Sequence, residues 1–355
     1  MFKPNISPVL LDQMPESVPF TKILESGEKV IVDPDASTER VMLWFYLLIN
    51  VGGFMNVPTA WAAKLEGYWL AYLIPLFLYL PLPLLLWFLK KRLILRPPGG
   101  SDLGRVIKIV GICFKRGGLP KIFSRKGDFF SLAKPSVIAR SSHPIEVPWT
   151  DEFVEDVRRA FQACGIFCFF PIQSINDNGL GSAANFQSVM LVTNGVPNDV
   201  INNFNSLTII LVNPVLNYGL YPLLRKHKIK YGPIARITTG LFIATLGGMA
   251  YSILNYYAYK KSPCGNMGSS ATCVDDTEDH NALVAPISVW WMAIAYSLGG
   301  LSELFVNVPA YGLAYSRSPA NMRGLVSSLN LLAAGVSYAI GLMFSALIRD
   351  PYLTW

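Results

Sequence analysis

Glu303 is the residue whose type and position most directly suggest chemistry. It is the only acidic residue between Asp279 and Asp350, and it lies in the middle of a long apolar segment. An ionisable side chain inside a membrane span is costly and indicates function by default. We therefore expect Glu303 to bind a cation or to exchange a proton. The alternative is a structural hydrogen bond to a polar residue of a neighbouring helix.

Three further polar side chains interrupt or border apolar segments. Asn50 and Asn205 carry amides that need hydrogen-bond partners in an apolar environment. A bond between neighbouring helices would satisfy them as well as a ligand would. Asp177 lies in a polar stretch with two glycines, residues 176–181. Such a helix can line a cavity and bend as a gate, or it can be hydrated at the level of the outer lipid headgroups.

The five cysteines indicate a disulfide and no catalytic centre. Cys264 and Cys273 lie in a loop that we place outside the cell, where oxidising conditions favour a bridge. We interpret Cys113 as a cytosolic residue, and Cys164 and Cys168 as packing residues. The sequence contains no zinc-ligand spacing, phosphate loop or hydrolase triad, so we expect no cofactor and no enzyme activity.

The composition requires a membrane to position these residues. Hydrophobic residues make up 52% of the 355 residues and charged residues only 15%, against about 25% in soluble domains. The mean hydropathy is +0.37. This apolar content excludes intrinsic disorder. Nucleic-acid binding is not expected despite the net charge of +7, because the basic residues cluster between apolar segments, as in membrane proteins. We predict an all-α polytopic membrane protein.

Seven segments are long and apolar enough to span a bilayer of about 30 Å. They cover 41–61, 68–90, 158–183, 204–224, 236–258, 285–313 and 324–347. Lys and Arg concentrate in 90–140, 225–236 and 314–323, whereas 184–203 has neither and 262–284 is acidic. The positive-inside rule then places the N-terminus in the cytoplasm and the C-terminus outside.

The cytoplasmic segment 96–150 contains a predicted amphipathic helix. Val106, Ile109, Val110 and Cys113 recur at helical spacing. This face could lie on the inner membrane surface, drawn there by anionic lipid, or it could pack under the helical bundle. The sequence leaves both interpretations open.

The sequence contains four motif-like stretches, at Phe2–Pro8, Phe45–Gly52, Ser302–Phe305 and Ser318–Arg323. Together they resemble the proton-dependent oligopeptide transporter family, and the long cytoplasmic connection and external cysteine pair resemble its fungal members. Phe2–Pro8 resembles the end of that family's fourth span, and Phe45–Gly52 resembles its fifth-span signature. Ser302–Phe305 and Ser318–Arg323 resemble its tenth span and the cytoplasmic turn after it. The resemblance covers nearly the whole chain and implies a partial major facilitator fold, which in the family has twelve spans.

The resemblance also implies a division of the chain and a set of site residues. Residues 1–95 would be a remnant of the N-terminal bundle, 96–150 a linker, and 151–355 spans seven to eleven of the C-terminal bundle. Lys3, Asn50, Asn205 and Glu303 match family positions that bind the peptide substrate. Lys3 and Glu303, with Asp177, are expected to act in proton coupling or gating.

The function expected from this resemblance is proton-coupled uptake of di- or tripeptides, or similar small zwitterions. The expected location is the plasma membrane. The alternative is a truncated membrane protein without transport activity, since the chain would begin within span four and stop after span eleven. That alternative includes a relic, an incomplete gene model or an interacting subunit.

Overall fold

The computed structural model describes residues 3–14, 20–23, 26–32, 34–94, 102–122, 129–140, 146–175, 181–268, 273–274, 283–318, 322–344, 347–348 and 350. These residues are mainly α-helical. The helices are α1 Lys3–Leu11, α2 Pro34–Phe54, α3 Asn56–Leu65, α4 Tyr68–Tyr79, α5 Leu82–Leu89, α6 Leu103–Ile122, α7 Pro135–Ile138, α8 Asp151–Cys164, α9 Phe170–Ser174, α10 Gly181–Val189, α11 Asn198–Asn202, α12 Phe204–Pro214, α13 Tyr221–Lys226, α14 Pro233–Lys261, α15 Met292–Arg317 and α16 Arg323–Met343. Short 3-10 turns cover Phe129–Ala133, Gly165–Phe169, Gly265–Met267 and Val289–Trp291, and a π-helical turn covers Val215–Leu220.

Six membrane-length apolar helices occur among the described residues, and they correspond to six of the seven predicted spans. They are Ser37–Leu65, Tyr68–Leu89, Asn198–Lys226, Pro233–Lys261, Val289–Leu313 and Arg323–Met343. The all-α membrane fold is therefore confirmed. Several spans consist of two or more consecutive helices, because turns such as that at Met55 interrupt the hydrogen-bond ladder.

The third predicted span, 158–183, is not a single helix in the part that the structure describes. Helix α8 ends at Cys164, a 3-10 turn follows, and α9 begins at Phe170 with Pro171 in its first turn. Pro171 has no backbone N–H and cannot donate an α-helical hydrogen bond to the residue four positions before it, which is compatible with the 3-10 turn that precedes α9. Residues 176–180, including Asp177, lie outside the described residues. A membrane span at 158–183 therefore stays a prediction.

Two small sheets accompany the helices. Strand β1, Phe20–Ile23, pairs antiparallel with β2, Lys29–Val32. Strand β3, Leu191–Val192, pairs parallel with β4, Ala285–Ser288. The second sheet fixes the segment before α11 beside the segment that leads into α15.

The described contacts divide the chain into two compact units. The first comprises Met1–Pro15, Ile94–Cys168 and Tyr311–Leu332. In it, α6 packs on the 3-10 turn Phe129–Ala133, which also contacts α8. The predicted apolar face of α6 is covered by this packing, since Val106, Ile109 and Cys113 are buried. The structure thus supports the packed interpretation of that face over the membrane-surface interpretation.

Polar contacts fix the remaining pieces of the first unit. Arg323 forms an ion pair with Asp12 at 3.0 Å, which ties α16 to the end of α1. Thr150 caps α8 by accepting a hydrogen bond from the Phe153 amide at 3.2 Å. Hydrogen bonds from the Ser136 side chain and backbone lower the pKa of Asp151 from its ordinary value.

The second unit comprises Glu16–Leu93, Phe169–Ala310 and Ala333–Trp355. Its described core includes Met190, Ile201, Ala258 and Met292, all buried and packed together. These residues come from the β3 region, α11, α14 and the start of α15, so they hold one end of those helices in place.

Candidate functional site

Glu303 lies on α15, within the membrane-length segment Val289–Leu313. Its neighbours Ser302 and Leu304 are fully buried, and Glu303 itself is partly buried. A carboxylate at this depth needs polar partners to offset the loss of water. The structure supplies them from two other helices.

Both carboxylate oxygens of Glu303 accept hydrogen bonds. The Tyr46 hydroxyl on α2 donates to Oε2. The Asn205 amide on α12 donates to Oε1 at 2.9 Å. Both donors are neutral, and among the described residues no Lys or Arg forms an ion pair with Glu303. The carboxylate is thus held in position without a described countercharge.

Asn307 extends this group by one residue. Its amide donates to the Tyr46 hydroxyl at 2.9 Å. Asn307 follows Glu303 by one helical turn, so both side chains project from one face of α15. We call Tyr46, Asn205, Glu303 and Asn307 the polar cluster. It joins three membrane-length segments through side chains that are far apart in the sequence.

A close approach of two helices brings Asn205 to Glu303. A Cβ atom added at Gly300 would lie 2.4 Å from the Asn205 carbonyl oxygen, far inside van der Waals contact. Only glycine therefore permits α15 to approach α12 this closely at that point. Helix α2 is fixed to α12 in turn, because the Asn213 amide donates to the Leu43 carbonyl at 2.6 Å.

The other residues predicted for the site have different surroundings. Asn50 is buried, and its amide donates to the Tyr46 backbone carbonyl at 2.9 Å, within its own helix. Lys3 is the first residue of α1, and its side chain lies outside the described residues. Asp177 also lies outside them. The structure therefore brings together Asn205 and Glu303 of the predicted set.

The contributions of Tyr46 and Asn307 were not predicted from the sequence. The sequence did contain one signal for Asn307, namely a polar residue one turn from a buried acid in an apolar helix. Tyr46 lies within the Phe45–Gly52 segment that carries the family resemblance, but its residue type gave no signal of a polar contact, since an aromatic residue in a membrane helix commonly packs against lipid or other helices.

A second polar contact was also missed. Arg236 on α14 forms an ion pair with Glu39 on α2, and both side chains are largely shielded from solvent. The guanidinium lies 4.2 Å from the Tyr221 ring centroid and donates from Nε to the Tyr231 carbonyl at 3.1 Å. This pair ties the start of one apolar helix to the start of another.

Cys264 and Cys273 form a disulfide in the structure, with their Cα atoms 5.7 Å apart. It follows directly after α14. Among the described residues, no group of three or more His, Cys, Asp or Glu side chains is arranged to hold a metal ion.

Comparison with known proteins identifies relatives of this chain. The profile of the POT family, PTR2, matches residues 1–354. An MFS-type transporter, ucsM, from Acremonium sp is 45% identical over 358 residues, which cover 100% of this chain and 57% of the relative. The peptide transporter PTR2 of Candida albicans is 35% identical over 362 residues, which cover 100% of this chain and 56% of the relative.

Two further comparisons agree with these. The peptide transporter PTR2 of Saccharomyces cerevisiae is 32% identical over 355 residues, which cover 100% of this chain and 55% of the relative. The chain thus spans just over half the length of these relatives. A crystal structure of an auto inhibited POT family peptide transporter matches the fold with a TM-score of 0.56 at 20% identity, over 97% of this chain and 66% of that one.

Proposed function

The chain belongs to the POT family, and from this membership we propose that it acts in proton-coupled uptake of di- or tripeptides, or similar small zwitterions. The observation that carries the proposal is the Glu303 carboxylate inside a membrane-length helix, hydrogen-bonded on both oxygens by neutral donors from two other helices. Such a group is costly to keep in a membrane unless it serves a function.

The chemistry of the polar cluster fits the amino end of a peptide. A carboxylate has about four acceptor positions, of which Tyr46 and Asn205 occupy two. The remaining positions can accept from a ligand ammonium, which would supply the countercharge that the described residues do not. We propose that Glu303 binds the substrate ammonium and that Asn205 contributes to the same subsite.

A zwitterion also needs a cation for its carboxylate. Lys3 matches the family residue with this role, and we propose it for the carboxylate of the substrate. Asn50 is proposed as a second amide at the amino end. Its bond to the Tyr46 carbonyl uses one N–H of the amide, and the amide oxygen could accept a hydrogen bond from the ligand ammonium.

Proton coupling would use the same ionisable groups. A carboxylate that binds either a proton or a ligand ammonium links the occupancy of one to the other. We propose this coupling for Glu303, with Lys3 and Asp177 as its partners in coupling or gating. No cofactor is required for such a cycle.

The membrane orientation is likewise a proposal. Basic loops support a cytoplasmic N-terminus and an external C-terminus. The disulfide after α14 supports an external position for that end of the helix, because disulfides persist in oxidising surroundings. We propose the plasma membrane as the location.

The test is uptake of radiolabelled dialanine into lipid vesicles that contain the chain. We expect uptake above that of protein-free vesicles when the outside is acidic, and its loss when a protonophore collapses the gradient. Uptake equal to that of protein-free vesicles would support the alternative of a membrane protein without transport activity. A labelled single amino acid and a tetrapeptide, run in parallel, define the substrate size.

A further inference from the structure

A groove with a volume of about 560 Å³ lies beside the end of α14 that precedes the disulfide loop. Ile253, Tyr257 and Lys261 form one wall, along a single face of α14. Trp291 and Ile294, from the start of the next membrane-length segment, form part of the other wall. The volume is within the range of sites that hold a small organic ligand.

Several apolar side chains that line the groove are exposed. Ile253 is 56% exposed, Ile294 49% and Trp291 61%, although all three belong to apolar segments. On a helix that crosses a membrane, exposed apolar side chains of this kind face lipid. The groove is therefore accessible from the bilayer.

The depth of the groove matches one leaflet. Its lining extends along α14 from Ala250 to Lys261, which is about 16 Å at the helical rise per residue. Half of a hydrocarbon core of about 30 Å is about 15 Å. With Lys261 at the headgroup level, Ala250 lies near the middle of the bilayer. Tyr257 and Trp291 then occupy the interfacial zone that aromatic residues favour.

The lining of the groove becomes more polar from the middle of the bilayer toward the headgroups. The deep part is lined by aliphatic side chains, and among the described residues of the lining the only charged group is Lys261, at the end of α14. Lys260, next to it, instead lies over the Tyr256 ring at 5.6 Å from the centroid and is not part of the lining. One ammonium above an apolar channel is complementary to a phosphate with an attached acyl chain.

We propose that this groove binds a glycerophospholipid, with its phosphate at Lys261 and one acyl chain along Ile253 and Ile294. The described lining of the groove includes no residue of the polar cluster, and the proposal does not depend on transport. A bound lipid would pack α14 against the start of α15, the helix that carries Glu303.

The test uses photoactivatable lipid in vesicles of phosphatidylcholine that contain the chain. The probe is phosphatidylglycerol with a diazirine on its acyl chain, and labelled residues are mapped by mass spectrometry. We expect labelling to concentrate on the groove. Ile253→Trp, which fills the channel, should lower it about tenfold, equivalent to about 1.4 kcal/mol. Met249→Trp is the matched control, because Met249 is also exposed on α14 but lies outside the lining.

The headgroup is tested separately. Lys261→Gln should lower phosphatidylglycerol labelling about fivefold, the scale of a partly exposed ion pair, whereas Lys260→Gln should not. Diacylglycerol with the same diazirine chain lacks the phosphate and should label the groove weakly in every variant. Labelling spread evenly over exposed apolar residues, or unchanged by Ile253→Trp, would overturn the proposal. Equal labelling by diacylglycerol or by a diazirine sterol would overturn the assignment of a phospholipid.

Discussion

Glu303→Gln removes the charge of the central carboxylate while preserving its shape. In the structure, Oε1 accepts from the Asn205 amide at 2.9 Å and Oε2 accepts from the Tyr46 hydroxyl. A glutamine can keep its oxygen toward Asn205 and direct its amide nitrogen toward Tyr46, because a hydroxyl oxygen also accepts hydrogen bonds. We therefore expect the variant to fold, with a thermal stability equal to or above that of the parent, since no charge remains to be buried.

Ligand binding should respond more strongly than stability. If Glu303 binds the substrate ammonium, its loss removes a charge-assisted hydrogen bond of about 1.5–3 kcal/mol. The Kd for dialanine should then rise about 10- to 100-fold. N-acetyl-dialanine has no ammonium, so its binding should change little. Equilibrium binding of the labelled compounds to the reconstituted chain measures both constants.

Thr245→Val is the control for this experiment. Thr245 is exposed on α14, and among the described residues its hydroxyl bonds only to the Leu241 carbonyl of the same helix. Both ligands should bind this variant as they bind the parent. Equal losses for dialanine and its acetylated form in Glu303→Gln, or no loss for either, would show that Glu303 is a structural residue.

Three other variants test further features of the structure. Gly300→Ala should lower the free energy of unfolding by about 1–3 kcal/mol, because the added methyl group overpacks against Asn205. Gly312→Ala should not lower it, because a Cβ atom there meets no atom within 4 Å. Equal melting temperatures for these two variants would contradict the close approach of α15 to α12. Serine at both Cys264 and Cys273 should lower the free energy of unfolding by about 2–3 kcal/mol, and recovery of two free thiols from the parent by non-reducing peptide mapping would disprove the bridge. Tyr46→Phe removes the hydroxyl bonded to Glu303 and should weaken dialanine binding about fivefold; unchanged binding would exclude a role for that hydroxyl in orienting the carboxylate.

The sequence predicted the spans well where length and hydropathy were sufficient. Six apolar segments became membrane-length helices close to their expected positions. The segment 158–183 differed because a 3-10 turn separates α8 from α9, and apolar content alone does not predict such a turn. Residues 176–180 lie outside the described residues, so the full course of this segment remains a prediction.

The amphipathic pattern of α6 predicted a helix but not its partner. Val106, Ile109 and Cys113 do form one face, and the structure covers this face with protein. A stripe of apolar residues on a helix requires burial, and both a bilayer and a protein surface provide it. Periodicity therefore could not distinguish the two.

Glu303 could be identified from the sequence because an acid in a long apolar segment is rare whatever the fold. The partners of Glu303 could not be identified in this way. Tyr46 and Asn205 precede it by 257 and 98 residues, and their contact depends on how closely three helices approach. The residue that permits one of these approaches is Gly300, which has no side chain to indicate its role.

Helix α2 shows why hydrophobic periodicity is a weak guide to such contacts. Its contacts with other helices are made by the Glu39 side chain, the Leu43 backbone carbonyl and the Tyr46 hydroxyl. Asn50, whose amide bonds within α2, continues the same face, since these four residues recur at intervals of four, three and four. That face combines a charge, an aliphatic residue, an aromatic residue and an amide. In a soluble protein the packed face would be the apolar one, but in a membrane the lipid-facing side is apolar as well. The packed face of α2 is instead distinguished by its polar groups, each with a hydrogen-bond or ionic partner. On α15, Glu303 and Asn307 are polar side chains that have such partners, and they lie on one face.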